Sequence, residues 1–152
     1  MSSFDAECMR AALEQALYAM HNYEVPVGAV IVDRLTKEII SRSYNQVEIN
    51  LNPTHHAELL AINQACKTLG SKNLNSCDIY VTLEPCTMCA SAISNARIGR
   101  VFYGANDPKM GAVENGVRFF TATTCHHRPE VYPGIMANEA QGLMQEFFKG
   151  LR

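Results

Sequence analysis

The amino-acid sequence predicts an α/β fold, a sheet of about five strands with helices on both faces, and three observations carry that expectation. Apolar residues recur at three- and four-residue steps near both ends of the chain, from Met9 to Met20 and from Met136 to Leu151. Between them, short runs rich in Val, Ile, Tyr and Phe alternate with helical stretches. One of those runs, Val25–Val32, is almost unbroken in its apolar character, as a strand covered on both faces requires.

Each element has its own local reason. Met9, Leu13, Ala16, Leu17 and Met20 form one stripe of a helix from Asp5 to about His21, with Asp5 and Glu7 in the opening turn where the helix dipole favours acids. The apolar run is a strand, joined by a hairpin-length connection to a shorter one at Glu38–Ser41. Thr54 is a candidate cap for a helix from His55 to Leu69, which Gly70 stops. Ile79–Thr82 is a third strand, Cys86 to Asn95 a short helix, and Val101–Gly104 a fourth strand. After a long irregular segment Val131-Tyr132 reads as a short fifth strand. Met136, Ala140, Leu143, Phe147 and Leu151 mark a final amphipathic helix.

No repeat, low-complexity tract or linker divides the chain, so residues 1–152 are expected to form a single domain, long enough to bury a substantial core. Hydrophobic residues make up 47% and charged residues 18%, an ordinary soluble balance. The acidic start lacks a secretory pattern, and no apolar run approaches the roughly 18 residues a bilayer span needs. Six cysteines in that setting point to metal binding or reduced core thiols rather than disulfides, and to a cytoplasmic compartment. A net charge of −2 argues against a broadly basic nucleic-acid surface, but not against a local patch.

The chemistry is concentrated in two motifs, His56-Ala57-Glu58 and Pro85-Cys86-Thr87-Met88-Cys89. Cys86 and Cys89 lie one helical turn apart, so both sulfurs can face one point. With His56 they make three zinc ligands and leave Glu58 uncommitted, which fits a catalytic rather than a closed structural site. Both motifs fall at predicted helix starts, where partial positive charge favours thiolates. Taken singly the motifs are weak: Cys-x-x-Cys also serves redox pairs, and His-x-Glu arises by chance. Their conjunction, with Pro ahead of the first Cys, matches the signature of zinc nucleobase deaminases. His55 is the rival imidazole, expected to face solvent or substrate. Cys66 shares a helical face with Leu59, Ile62 and Leu69 and is expected in the core, and Cys8 and Cys77 show no partner motif. Cys125-His126-His127 lacks a complementary ligand cluster, so the two histidines are read as loop residues near the site or a subunit contact. His21 is expected to interact with the carbonyls that end its helix.

Across nearly its whole length the chain resembles the bacterial TadA-type tRNA adenosine deaminases of the cytidine deaminase-like superfamily. The resemblance is carried by Glu24-Val25-Pro26-Val27-Gly28-Ala29-Val30, Asn45, His56-Ala57-Glu58, Tyr80–Cys89, Arg97–Val101, Gly104–Lys109 and Phe147-Phe148-Lys149. It implies a three-layer α/β/α fold with a mixed sheet of about five strands, one zinc per chain and a homodimer. It further implies hydrolytic conversion of adenosine to inosine at the anticodon wobble position of tRNA. A zinc-bound hydroxide would attack C6 while Glu58 shuttles protons to N1 and to the departing amino group. By the same resemblance Asn45 hydrogen-bonds the target nucleotide, Val27 packs near the base, and backbone groups around Leu83 and Glu84 meet the amino group. Asp107, Lys109 and Phe148 contact the anticodon loop. Two stretches depart from the family pattern, His55 in place of Ala and the segment from Ala112 to Cys125, and both bear on substrate range.

Independently of the resemblance, the segment from Asn106 to Arg128 is longer than an unstructured connection usually is in a compact domain, as functional loops often are. Arg118, Arg128, Lys149 and Arg152 are placed to give it and the last helix a local basic face. The bland readings are a solvated turn for Asp107-Pro108-Lys109 and core packing for Phe148. Two other functions compete. A deaminase of free guanine, cytosine or a cytidine nucleotide suits the acidic balance, although cytidine deaminases proper carry Cys at the place of His56. A zinc-stabilised RNA-binding subunit would not need Glu58.

Overall fold

The structure is a computed structural model, and residues 1–151 are described. Four α-helices flank one five-stranded mixed sheet of order β2-β1-β3-β4-β5. The strands are β1 (Gly28–Asp33), β2 (Ile39–Tyr44), β3 (Cys77–Leu83), β4 (Arg100–Ala105) and β5 (Glu130–Tyr132). β1 runs antiparallel to both β2 and β3, whereas β3, β4 and β5 are mutually parallel. The helices are α1 (Ser3–His21), α2 (Ala57–Leu69), α3 (Thr87–Asn95) and α4 (Ala137–Gly150).

Strand alternation divides the core in two. Ala29, Ile31, Ile79 and Val81 turn to one face and pack with Ala57, Ala61 and Ala65 of α2 and with Ala90 and Ile93 of α3. Val30, Val32, Tyr80 and Phe102 turn to the other, where Met9, Ala12 and Leu13 of α1 and Ala140 of α4 cover them. The expected three-layer α/β/α arrangement is therefore observed. Small residues let the layers approach closely. A Cβ on Gly28 would stand 2.0 Å from the Ala12 carbonyl oxygen, so β1 and α1 meet there backbone to backbone.

Element types agree with the sequence reading, and the differences lie at element ends. The apolar run at residues 25–32 enters the sheet only at Gly28, because Val27 makes a tight turn with its amide on the Val25 carbonyl. β2 extends to Tyr44, carried by pairing with β1 rather than by its own propensity. α1 starts at Ser3 because Ser2 and Asp5 form a reciprocal capping box. The expectation that Thr54 caps a helix from His55 is corrected. α2 begins at Ala57, and the Thr54 hydroxyl donates to Asn52 Oδ1 instead. The free amide of Ala57 is taken by Asn45 Oδ1 at 2.8 Å, a cap supplied from twelve residues upstream. Gly70 ends α2 in the left-handed conformation, as expected.

The two ends of the sheet differ. At the start of β3, buried Asp78 bonds Arg34 at 2.9 Å and Arg100 at 2.6 Å, tying the β1–β2 turn to β4. At the opposite end, the chain entering β1 and the chain leaving β2, β3 and β4 come together. Ligand sites commonly form beyond the carboxyl ends of parallel strands.

Candidate active site

That second end holds a cavity of about 680 Å³. His56 is the N-cap of α2 and Glu58 lies in its first turn; Cys86 is the N-cap of α3 and Cys89 its third residue. The two helix starts therefore point their free amides and partial positive charge at one spot. His56 Nδ1 lies 3.7 Å from Cys86 Sγ and 3.6 Å from Cys89 Sγ, and all three donor atoms fall within 4.8 Å of one another. Tetrahedral zinc with bonds of about 2.3 Å to sulfur and 2.0–2.1 Å to nitrogen separates N from S by about 3.5 Å. The triangle already has the size of three edges of a zinc site. Two thiolates and a neutral imidazole also suit zinc chemically, and among the described residues this is the one cluster of at least three such donors.

The electrostatics agree. The Cys89 thiol, hydrogen-bonded to Cys86, pulls the Cys86 sulfur down to about 4 against the opposing effect of burial, and His56 adds to the pull. The same contact, with burial, pushes Cys89 up. Contact with Cys86 raises His56 in spite of desolvation. A dication bound by these donors would displace such protons, as metal sites do. Burial lifts Glu58 to about 7, opposed mainly by its own backbone amide. A carboxyl poised near neutrality can both take and return a proton.

The residues expected to bind zinc, to move protons and to contact substrate come together here, whereas Arg118, Arg128 and Lys149 do not line the cavity and Arg152 lies outside the described residues. Val27, Asn45, His56, Glu58, Leu83, Glu84, Cys86, Asp107, Lys109 and Phe148 line the cavity, and buried Cys89 completes the triangle. Asn45 Oδ1 is held by α2, which leaves Nδ2, without a partner among the described residues, to donate into the cavity. Asp107 Oδ1 accepts from the amides of Lys109 and Met110, so the carboxylate shapes its own turn. Phe148 is 47% exposed beside Phe147 rather than packed in the core.

Other residues were not singled out. Tyr23 is 87% exposed with φ of 62°, held at the lip of the cavity just past α1. Val47, Met110 and Met144 add apolar wall. Buried Glu24 accepts from the amides of Glu48 and Ile49 at 3.1 and 2.7 Å and so fixes the turn after Asn45. No local pattern betrays these residues; only the topology brings them to one end of the sheet.

The remaining histidines and cysteines lie outside the cavity. Half-buried His55 does not line the cavity; its two ring nitrogens lie 2.9 Å from the amide groups of Asn50 and Asn52, which corrects the solvent or substrate role expected for it. His127 Nε2 lies 2.7 Å from the Ile98 carbonyl, and Cys125 is buried against Ser94. His126 and His127 line a separate, smaller cavity with Ser94, Arg97 and Phe119. Cys8 and Cys77 are buried, and Cys66 packs against the core as expected.

Comparisons with known proteins bear on the same residues. The family model of the cytidine and deoxycytidylate deaminase zinc-binding region matches residues 2–105, a stretch that includes both motifs. The tRNA-specific adenosine deaminase of Rickettsia bellii is 56% identical over 144 residues, covering 95% of this chain and 99% of that protein. A solved tRNA:A34 deaminase, studied for A-to-I editing at the wobble position of transfer RNA, superposes with a TM-score of 0.87. Its identity is 50%, over 90% of this chain and 98% of that one. The guanine deaminase of Bacillus subtilis superposes at 0.64, with 32% identity over 81% of this chain and 87% of that one. The chain belongs to the tRNA-specific adenosine deaminase family, within the cytidine and deoxycytidylate deaminase zinc-binding group.

Proposed function

We propose that this chain, read as one zinc-dependent deaminase domain over residues 1–152, hydrolytically converts adenosine to inosine at the anticodon wobble position of tRNA. The observation that carries the reading is the buried carboxyl of Glu58 beside the His56–Cys86–Cys89 triangle, on the wall of a cavity lipped by exposed Tyr23, Lys109 and Phe148. Zinc bound by those three residues supplies the Lewis acidity that makes water nucleophilic at neutral pH. Glu58 takes the proton released as water adds to C6 and delivers it to N1. It then moves the proton of the new C6 hydroxyl to the amino nitrogen, so that the C6–N bond breaks, ammonia leaves and C6 is left as the carbonyl of inosine. Asn45 Nδ2 donates to the nucleotide, Val27 packs on the base, and the backbone at Leu83 and Glu84 meets the amino group. Asp107, Lys109 and Phe148 receive the neighbouring anticodon nucleotides.

A base must leave its stack to reach Glu58, which suits a loop nucleotide splayed into a groove. The exposed aromatic residues at the lip fit that mode, because bases stack on such rings with little regard to sequence. The partner is the tRNA anticodon loop, the working unit a homodimer and the compartment the cytoplasm. In the deciding experiment, purified protein is incubated with tRNA carrying adenosine at the wobble position, and separately with free guanine, cytosine and cytidine. Inosine formation that disappears in Glu58→Ala supports the reading. Turnover of the free substrates alone overturns it.

A further inference from the structure

Glu84 links β3 to Pro85 and is only 2% exposed. Its carboxylate is filled by the segment that follows β4. Oε1 accepts from the Asp107 amide at 3.0 Å and from Asn115 Nδ2 at 2.7 Å. Oε2 accepts from the amides of Val113, Glu114 and Asn115 at 3.1, 3.0 and 3.0 Å. The segment is wound so closely around this group that a Cβ on Gly111 would stand 2.5 Å from Glu84 Cδ and 2.7 Å from Oε1. Two further ties hold it: the Ala112 amide donates to the Pro85 carbonyl, and the Tyr103 hydroxyl donates to the Glu114 carboxylate.

Apolar packing does not explain the shape of the leading part of this segment. Asn106, Pro108, Lys109 and Met110 are exposed, and Asp107 is half-buried. Yet Asp107, Lys109 and Met110 form one wall of the cavity. Their position depends on the polar anchor behind them, where charge-assisted hydrogen bonds are stronger than neutral ones.

We propose that Glu84 is a positioning residue for substrate recognition: by gathering the Asp107–Asn115 backbone around its carboxylate, it fixes the cavity wall that meets the nucleotides beside the target base. This rests on the function proposed above. Without the anchor, substrate binding must itself order the wall, which weakens association. Turnover of bound substrate changes little, because His56, Glu58 and Cys89 are held by α2 and α3, and Cys86, although it pairs with Gly111, also caps α3.

Glu84→Gln tests the proposal, since it keeps the shape but turns an NH2 group toward backbone amides. On a short anticodon stem-loop RNA with adenosine at the wobble position, KM rises about tenfold, as expected for the loss of a hydrogen bond to a charged group. Zinc remains at one per chain, and kcat, read on Asn115→Ala because the Glu84 backbone itself meets the substrate, stays within about threefold. Hydrogen exchange quickens at Asp107 and Val113–Asn115 while β1, β3 and β4 keep their protection. Asn115→Ala removes one donor without stranding a buried charge, shows the same pattern with a smaller KM shift, and decides the matter if Glu84→Gln does not fold. Unchanged exchange in the wall, a fall in kcat at constant KM, or loss of zinc overturns the proposal. A wild-type protein inactive on the stem-loop overturns the proposed function instead, and the exchange measurement still reports whether Glu84 fixes the wall.

Discussion

Glu58 and the zinc-binding triangle separate cleanly at the level of single side chains. Glu58→Gln keeps the volume of the side chain and all three metal donors but removes the proton carrier. We expect activity to fall by about 10²–10⁴-fold, the usual worth of general acid–base catalysis, with zinc content by elemental analysis unchanged. Cys86→Ser reverses the pattern, since a hydroxyl is a poor substitute for a thiolate toward zinc, and metal and activity disappear together. Away from the site, burial raises Asp5 but donors from Tyr80 and Ser2 outweigh it, so its carboxyl stays below the ordinary value of 3.8. A depressed carboxylate pKa stabilises the fold above the unfolded value, and the benefit disappears as pH falls through the lower folded value. The melting temperature of Asp5→Asn should therefore lie below wild type at pH 7, and the gap should close as pH falls below 3.8 and through the lowered folded value. A gap that persists unchanged into acid would contradict the linkage.

Among the elements, the joint between α1 and β1 is the tightest. Valine at position 28 would drive its Cβ into the Ala12 carbonyl and the backbone of Ala16. Gly28→Val should cost about 1–3 kcal/mol, as overpacking commonly does, read as a lower denaturant midpoint. Such joints also show how far local sequence can be read. Periodicity identified the α-helices because each buries one stripe, as Ala57, Ala61 and Ala65 do in α2, and the central strands showed as apolar runs because both their faces are covered. The short 3-10 turn at Phe119–Thr121 carries no such signal. Helix starts were harder. Thr54 has the chemistry of a cap, yet Asn45 takes the amide at Ala57 because the turn after β2 carries it there. The same holds within the site. His56, Glu58, Cys86 and Cys89 are legible because zinc chemistry demands those residue types at short spacings. Glu84 and Glu24 stand out only through the resemblance, and the anchoring role of their carboxylates is not legible, because their partners are mainly backbone amides far along the chain, which any residue would provide.

For the molecule as a whole, the site is assembled from six chain segments at one end of the sheet, while Asp78 with Arg34 and Arg100 secures the other. Asp78→Asn removes the buried charge and turns one of its two accepting oxygens into a donor facing a guanidinium group, although both guanidinium groups retain access to water. A loss of about 1.5–3 kcal/mol is expected, read in thermal unfolding, with kcat/KM of the folded enzyme unchanged. Zinc acts at the opposite end. Chelation should lower the melting temperature as well as abolish activity, because a ligand bound only by the folded state stabilises it by mass action. Sedimentation at several concentrations tests the homodimer, and a population that stays monomeric would exclude it. The separation of the two ends also bears on descent. Substitutions in the segments around the cavity can accumulate without loosening the fastening that keeps the sheet intact, so a lineage can change the base it accepts while its scaffold persists. The guanine deaminase of Bacillus subtilis, 32% identical over 81% of this chain, shares the fold while carrying the name of a different base.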